Sequence, residues 1–136
     1  MSDSNKVGSI LSFHCSTVTF TESCSITGNF DFLANIVNRS VSFILKTNGT
    51  ESVFSLSSFR KCNLFFDDIP EGNRYRGFVL NLYVDDFTYI SVNVDALGNI
   101  NLSYSYRGLS LKESLCVDSC DAKRLFSVIY SFYNNL

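Results

Sequence analysis

The chain has 136 residues, 46% of them hydrophobic, with one proline, no tryptophan and a net charge of −2 from 11 basic and 13 acidic side chains. That length suits one domain, so 1–136 is read as a single unit. The apolar content excludes a disordered tail, the absence of any run of about 18 apolar residues excludes a membrane-spanning helix, and the near-neutral charge argues against a nucleic-acid binder driven by bulk charge.

The first residues, Met1 to Gly8, are polar. Ile10, Leu11 and Phe13 are interrupted by Ser9, Ser12 and His14, so no apolar core of a secretory signal is present. The expectation is a cytoplasmic protein in a reducing compartment. On that reading the triplets beginning at Asn38, Asn48 and Asn101 carry little meaning as glycosylation signals.

Period-two alternation dominates the chain, the mark of strands with one buried face. In 10–20 the phase changes from Leu11, Phe13 and Cys15 to Val18 and Phe20, which places a bend near Ser16-Thr17. Cys24, Ile26, Phe30 and Phe32 alternate next, interrupted by Gly28, a candidate bulge. Val41, Phe43 and Leu45 lead into Asn48-Gly49, a strong hairpin signal, with a return strand over 53–56. Cys62, Leu64 and Phe66 form another short strand, ended by Asp67-Asp68-Ile69-Pro70.

Residues 76–106 carry the clearest pattern. Phe78, Leu80, Leu82 and Val84 share a face, Asp85-Asp86 turns the chain, and Ile90, Val92 and Val94 continue the buried side. A second turn at Asp95-Ala96-Leu97-Gly98 places glycine where positive φ is needed, and Ile100, Leu102, Tyr104 and Tyr106 follow. Links this short require antiparallel pairing. From Asp121 the apolar positions Ala122, Leu125, Phe126, Ile129, Phe132, Tyr133 and Leu136 fall three and four apart, a helix stripe, with Asp118 or Ser119 as cap. The expected fold is mainly β, an antiparallel β-sandwich or strongly curved sheet of about seven or eight strands, with one C-terminal amphipathic helix packed on it.

Linear signatures of catalysis are thin. His14 is the only histidine, and its neighbour Cys15 must point to the opposite face of a strand, so the two cannot pair as base and nucleophile. Neither a phosphate loop nor a calcium or zinc-protease pattern occurs. The odd count of five cysteines fits free thiols, Cys24 and Cys62 read as small apolar residues, and Cys116 and Cys120 lack structural-zinc spacing, so no metal or cofactor is assigned. Arg74-Tyr75-Arg76, with Arg60-Lys61 upstream, is a local basic concentration offset by nearby acids.

The remaining candidate is an acidic surface with tyrosines: Asp67, Asp68, Glu71, Asp85 and Asp86, with Tyr83 and Tyr89 on the polar face of the same strands. Carboxylates steer a basic partner and tyrosines supply contact area. The aspartate doublets also serve simply as turn formers. The expectation is a non-catalytic protein-binding domain acting by occlusion, an intracellular immunity or inhibitor protein that neutralises a basic toxin such as a nuclease. This is an analogy of class alone. The alternatives are a viral or pathogen accessory protein that binds a host protein, a carrier of an apolar ligand, and an enzyme using Asp and Tyr from separate strands. No nucleic acid or membrane partner is expected, and the pattern does not mark which strand lies at an edge where two copies would pair.

Overall fold

The computed structural model describes residues 9–20, 26–66 and 76–136. Among these residues nine strands precede one helix: β1 (Ile10–Phe20), β2 (Ile26–Asn35), β3 (Ser40–Thr47), β4 (Thr50–Leu56), β5 (Lys61–Phe66), β6 (Gly77–Asp85), β7 (Thr88–Asp95), β8 (Asn99–Tyr106), β9 (Leu109–Cys116) and α1 (Ser119–Asn134). All nine belong to one antiparallel sheet in the order β4-β3-β2-β1-β9-β8-β7-β6-β5. Two meanders, β1–β4 and β5–β9, join where Thr19 and Phe20 pair with Cys116 and Leu115.

This arrangement corrects the expected sandwich or strongly curved sheet. There is a single open sheet rather than two stacked ones, and its strands number nine. Alternation shows that each strand has one buried face, and one sheet with a helix on its apolar side satisfies that as well as two sheets do. The strand that alternation failed to mark is β9. Leu109 and Leu111 alternate, but both are exposed, and Lys112-Glu113-Ser114 then breaks the pattern. Without β9 the two meanders look like separate layers.

Several local expectations hold. Between Cys15 and Val18 the β1–β2 register shifts, so the bend falls at Ser16-Thr17. Gly49 and Gly98 have φ of 78° and 94° in their turns. Gly28 is not itself the bulge: it lies opposite Val18, where a Cβ would come within 2.1 Å of the Lys46 carbonyl oxygen. Its role is close approach of backbone.

The apolar face is rich in phenylalanine, and α1 lies against it. Ala122, Leu125, Ile129 and Phe132 are the helix residues that are buried, and all four belong to the stripe read from sequence. Phe132 meets the rings of Phe32 on β2 and Phe59 in the link 57–60, at 6.1 and 5.8 Å between centroids. Phe126 meets Phe66 and Phe78, both at 5.3 Å. The helix therefore ties β2 to β5 and β6. Asp118 is the N-cap, but its side chain makes no capping hydrogen bond. No helix among the described residues is long and apolar enough to cross a membrane.

Candidate interaction surface

The seven residues singled out from sequence are only partly brought together. Tyr83 on β6 and Tyr89 on β7 are direct cross-strand partners, their ring centroids 5.7 Å apart. The Lys61 ammonium lies 5.8 Å from the Tyr83 ring centroid, so a cation already sits on this tyrosine. Asp85 and Asp86 are exposed at the β6–β7 turn. Asp85 Oδ1 accepts a hydrogen bond from the Phe87 N–H at 2.8 Å, so one of its oxygens serves the turn itself. Asp67, Asp68 and Glu71 lie outside the described residues. Phe66, the last described residue before them, pairs with Phe78, at the opposite end of β6 from Asp85.

The surface that sequence reading missed adjoins Asp85 and Asp86. Phe87, at the turn tip, is 70% exposed. The Ser105 hydroxyl donates to the Phe87 carbonyl oxygen at 3.0 Å and fixes this turn against β8. Beyond it, Tyr106 is opposite Leu109, and Tyr104 is opposite Leu111. Tyr106, Leu109 and Leu111 are 43%, 73% and 55% exposed. Tyr104 is held from below by Phe54, 5.7 Å away, and stacks with Tyr106 at 6.4 Å and 16°. Burial, helped by the neighbouring Tyr106, pushes the Tyr104 phenol above its ordinary value, which keeps it neutral. The Arg107 guanidinium lies 5.3 Å from the Tyr106 ring centroid. One signal was available beforehand: a phenylalanine within Asp85-Asp86-Phe87-Thr88, at a turn that needs no apolar residue.

A second cluster links α1 to β1. Cys15 is buried, whereas the His14 side chain is 60% exposed, so the two do face opposite ways. The Cys15 thiol donates to Asp121 Oδ2 at 3.4 Å. Arg124 donates to Asp121 Oδ1 at 2.7 Å and to the His14 carbonyl oxygen at 3.3 Å, and its guanidinium lies over the Phe13 ring at 4.7 Å. The Arg124 hydrogen bond holds the Asp121 carboxyl below its ordinary value. Desolvation opposes it, and the Cys15 bond reinforces it. His14 Nδ1 pairs with Asp31 Oδ1 at 2.5 Å on the outer face, away from the thiol. This network anchors the first turns of the helix, brings the Asp121 carboxylate to the sulfur and leaves His14 on the other face.

Cys62 is half-buried, and burial pushes its thiol up to about 12 against the opposing pull of Arg39. Cys116 lies in β9 and Cys120 in α1, so they do not share a helix face. Among the described residues no group of three or more metal-ligating side chains comes together. No known family matches the chain, no curated protein is similar to it, and no solved structure matches its fold.

Proposed function

We propose that the chain is a non-catalytic binding domain that acts by occlusion, covering the surface of a basic protein partner with the end of the sheet built from the β6–β7 and β8–β9 turns. The observation that carries this reading is the exposed apolar group Phe87, Tyr106, Leu109 and Leu111 beside the carboxylates of Asp85 and Asp86. Large apolar side chains clustered on a surface and rimmed by polar groups are the usual chemistry of a protein interface. The two carboxylates favour a cationic partner by steering its approach. An inhibitor or immunity protein that neutralises a basic toxin, such as a nuclease, would work in this way.

The test uses the full chain as bait in its native source, at low salt, beside a Phe87→Ser/Leu109→Ser double variant. The expected result is a stoichiometric basic protein retained by the parent chain and lost by the variant. Burying two such side chains contributes roughly 3–6 kcal/mol, enough to abolish capture. Equal retention by both chains would place the interface elsewhere. A partner without excess positive charge would remove the electrostatic part of the proposal.

A further inference from the structure

The sheet's outward face differs between its two halves. Across β1–β4 it carries ordinary charges, among them the pair His14 and Asp31, and Lys46 opposite Glu51 on β3 and β4. Across β5–β9 two adjacent rows are almost free of charge. One runs Asn63, Asn81, Ser91, Ser103 and ends at Lys112. The next runs Phe65, Val79, Asn93, Asn101, Ser114.

Two of the four amides in these rows, Asn81 and Asn101, have a set orientation. Asn81 Oδ1 accepts from the Ser91 hydroxyl at 2.6 Å, and Asn101 Oδ1 accepts from the Ser114 hydroxyl at 2.8 Å. The carbonyl side of each amide is thereby fixed, and its N–H donors turn away from the serine. Asn93, between them on β7, is exposed.

The second row leads into a shallow, open groove of about 390 Å³ at the ends of β5, β6 and β7, lined by Phe65, Val79, Asn93, Arg76 and Asp95 among others. Phe65 is 58% exposed and offers its ring as one wall. Asp95 does not dominate the site. Its Oδ1 accepts from the Leu97 and Asn99 N–H groups and its Oδ2 from the Asn99 amide. Burial works to raise its carboxyl, but these bonds, with one from the Gly98 backbone, outweigh it and hold the group below its ordinary value.

We propose that this open groove and the two amide rows form a binding site for a neutral oligosaccharide. An open aromatic ring takes the C–H face of a sugar, and an array of amides and hydroxyls matches its hydroxyl groups. Charge selects against the other classes. Among the described residues the lining holds one arginine beside one aspartate, which does not make a phosphate or nucleic-acid track. Phe65, Phe66 and Leu97 are exposed at this end, and the site lies at the opposite end of β6 from Asp85, so it is independent of the proposed occluding surface.

The test follows side-chain amide signals by two-dimensional NMR on the full chain during titration with neutral oligosaccharides. The probes are hexaoses of α-1,4-, β-1,3- and β-1,4-glucose, chitohexaose, and a high-mannose glycan released from glycoprotein. The expected result is saturable shifts of the Asn63, Asn93 and Asn101 amides by at least one probe, with Kd below ~1 mM. Response to the hexaoses points to free polysaccharide, and response to the high-mannose glycan to a protein-borne sugar. Phe65→Ala and Asn93→Ala, both at exposed positions, should each weaken binding about tenfold, or about 1.4 kcal/mol, while leaving Tm unchanged. No saturable shift with any probe, or binding indifferent to both substitutions, overturns the assignment.

Discussion

Phe132→Ala tests how the terminal helix is held. Phe132 is fully buried and meets Phe32 at 81° and Phe59 at 64° between ring planes, both edge contacts. Truncating a buried phenylalanine costs about 3–5 kcal/mol, from lost transfer energy and the cavity left behind. Domains are stable by only about 5–15 kcal/mol, so the loss is a large share of the total. An unfolding entropy near 2.1 cal/mol/K per residue gives, for 136 residues, about 3.5 °C per kcal/mol, hence a Tm fall of roughly 10–17 °C. Urea denaturation and a thermal melt, each followed by circular dichroism, measure it. Tyr130→Ala is the control. Tyr130 is exposed on the same helix and meets Phe66 at 5.5 Å, so its removal should cost no more than about 1.5 kcal/mol. If Phe132→Ala cost under about 1 kcal/mol, or no more than Tyr130→Ala, the helix would not dock by this stripe.

Three further outcomes follow from named contacts. Gly98→Ala places a Cβ within 2.1 Å of the Val117 carbonyl oxygen at φ 94°, whereas Gly49→Ala at φ 78° meets nothing within 4 Å. The second should cost about 1–2 kcal/mol for its left-handed backbone; the first should cost clearly more, and equal losses in urea melts would deny the collision. With iodoacetamide at pH 8, peptide mass spectrometry should find exposed Cys120 alkylated well before Cys62, whose thiol is held at about 12; comparable rates would contradict that burial. Asp121 is held below its ordinary value of 3.8 in the folded chain, so its contribution is fully present above that value and is lost as pH falls through the lower folded one. The stability gap between the parent chain and Asp121→Asn should therefore be constant near neutrality and narrow below pH 3.8; a gap independent of pH down to acid unfolding would show that the carboxylate's charge contributes nothing.

Legibility followed burial. The strands of 76–106 were plain because Phe78, Leu80, Leu82, Ile90, Val92 and Val94 each meet the buried face, and alternation reports that face. The helix was legible for the same reason at a different period. β9 was not, because Leu109 and Leu111 are exposed, so no hydrophobic penalty ties their spacing to the core. Among the described residues the joint that makes two meanders one sheet rests on two residue pairs, Thr19 with Cys116 and Phe20 with Leu115, and no local pattern encodes which strands become neighbours.

The candidate surface divides along the same line. Tyr83 and Tyr89 could be placed together because adjacent hairpin strands set their register. Asp85 and Asp86 followed from the turn. Phe87 escaped because alternation treats an apolar residue beside a strand as core, and only the fold distinguishes a buried side chain from one left outside. The same reasoning separates the proposed occluding surface from the core. A core residue is explained by the free energy of its own burial, whereas Phe87, Leu109 and Leu111 stay mostly exposed and gain far less of it in the isolated chain. If the fold alone governed these positions, polar residues would serve there equally well. Replacing each by serine should therefore leave stability within about 0.5 kcal/mol while removing the proposed partner. That dissociation of stability from binding distinguishes an interface from a core.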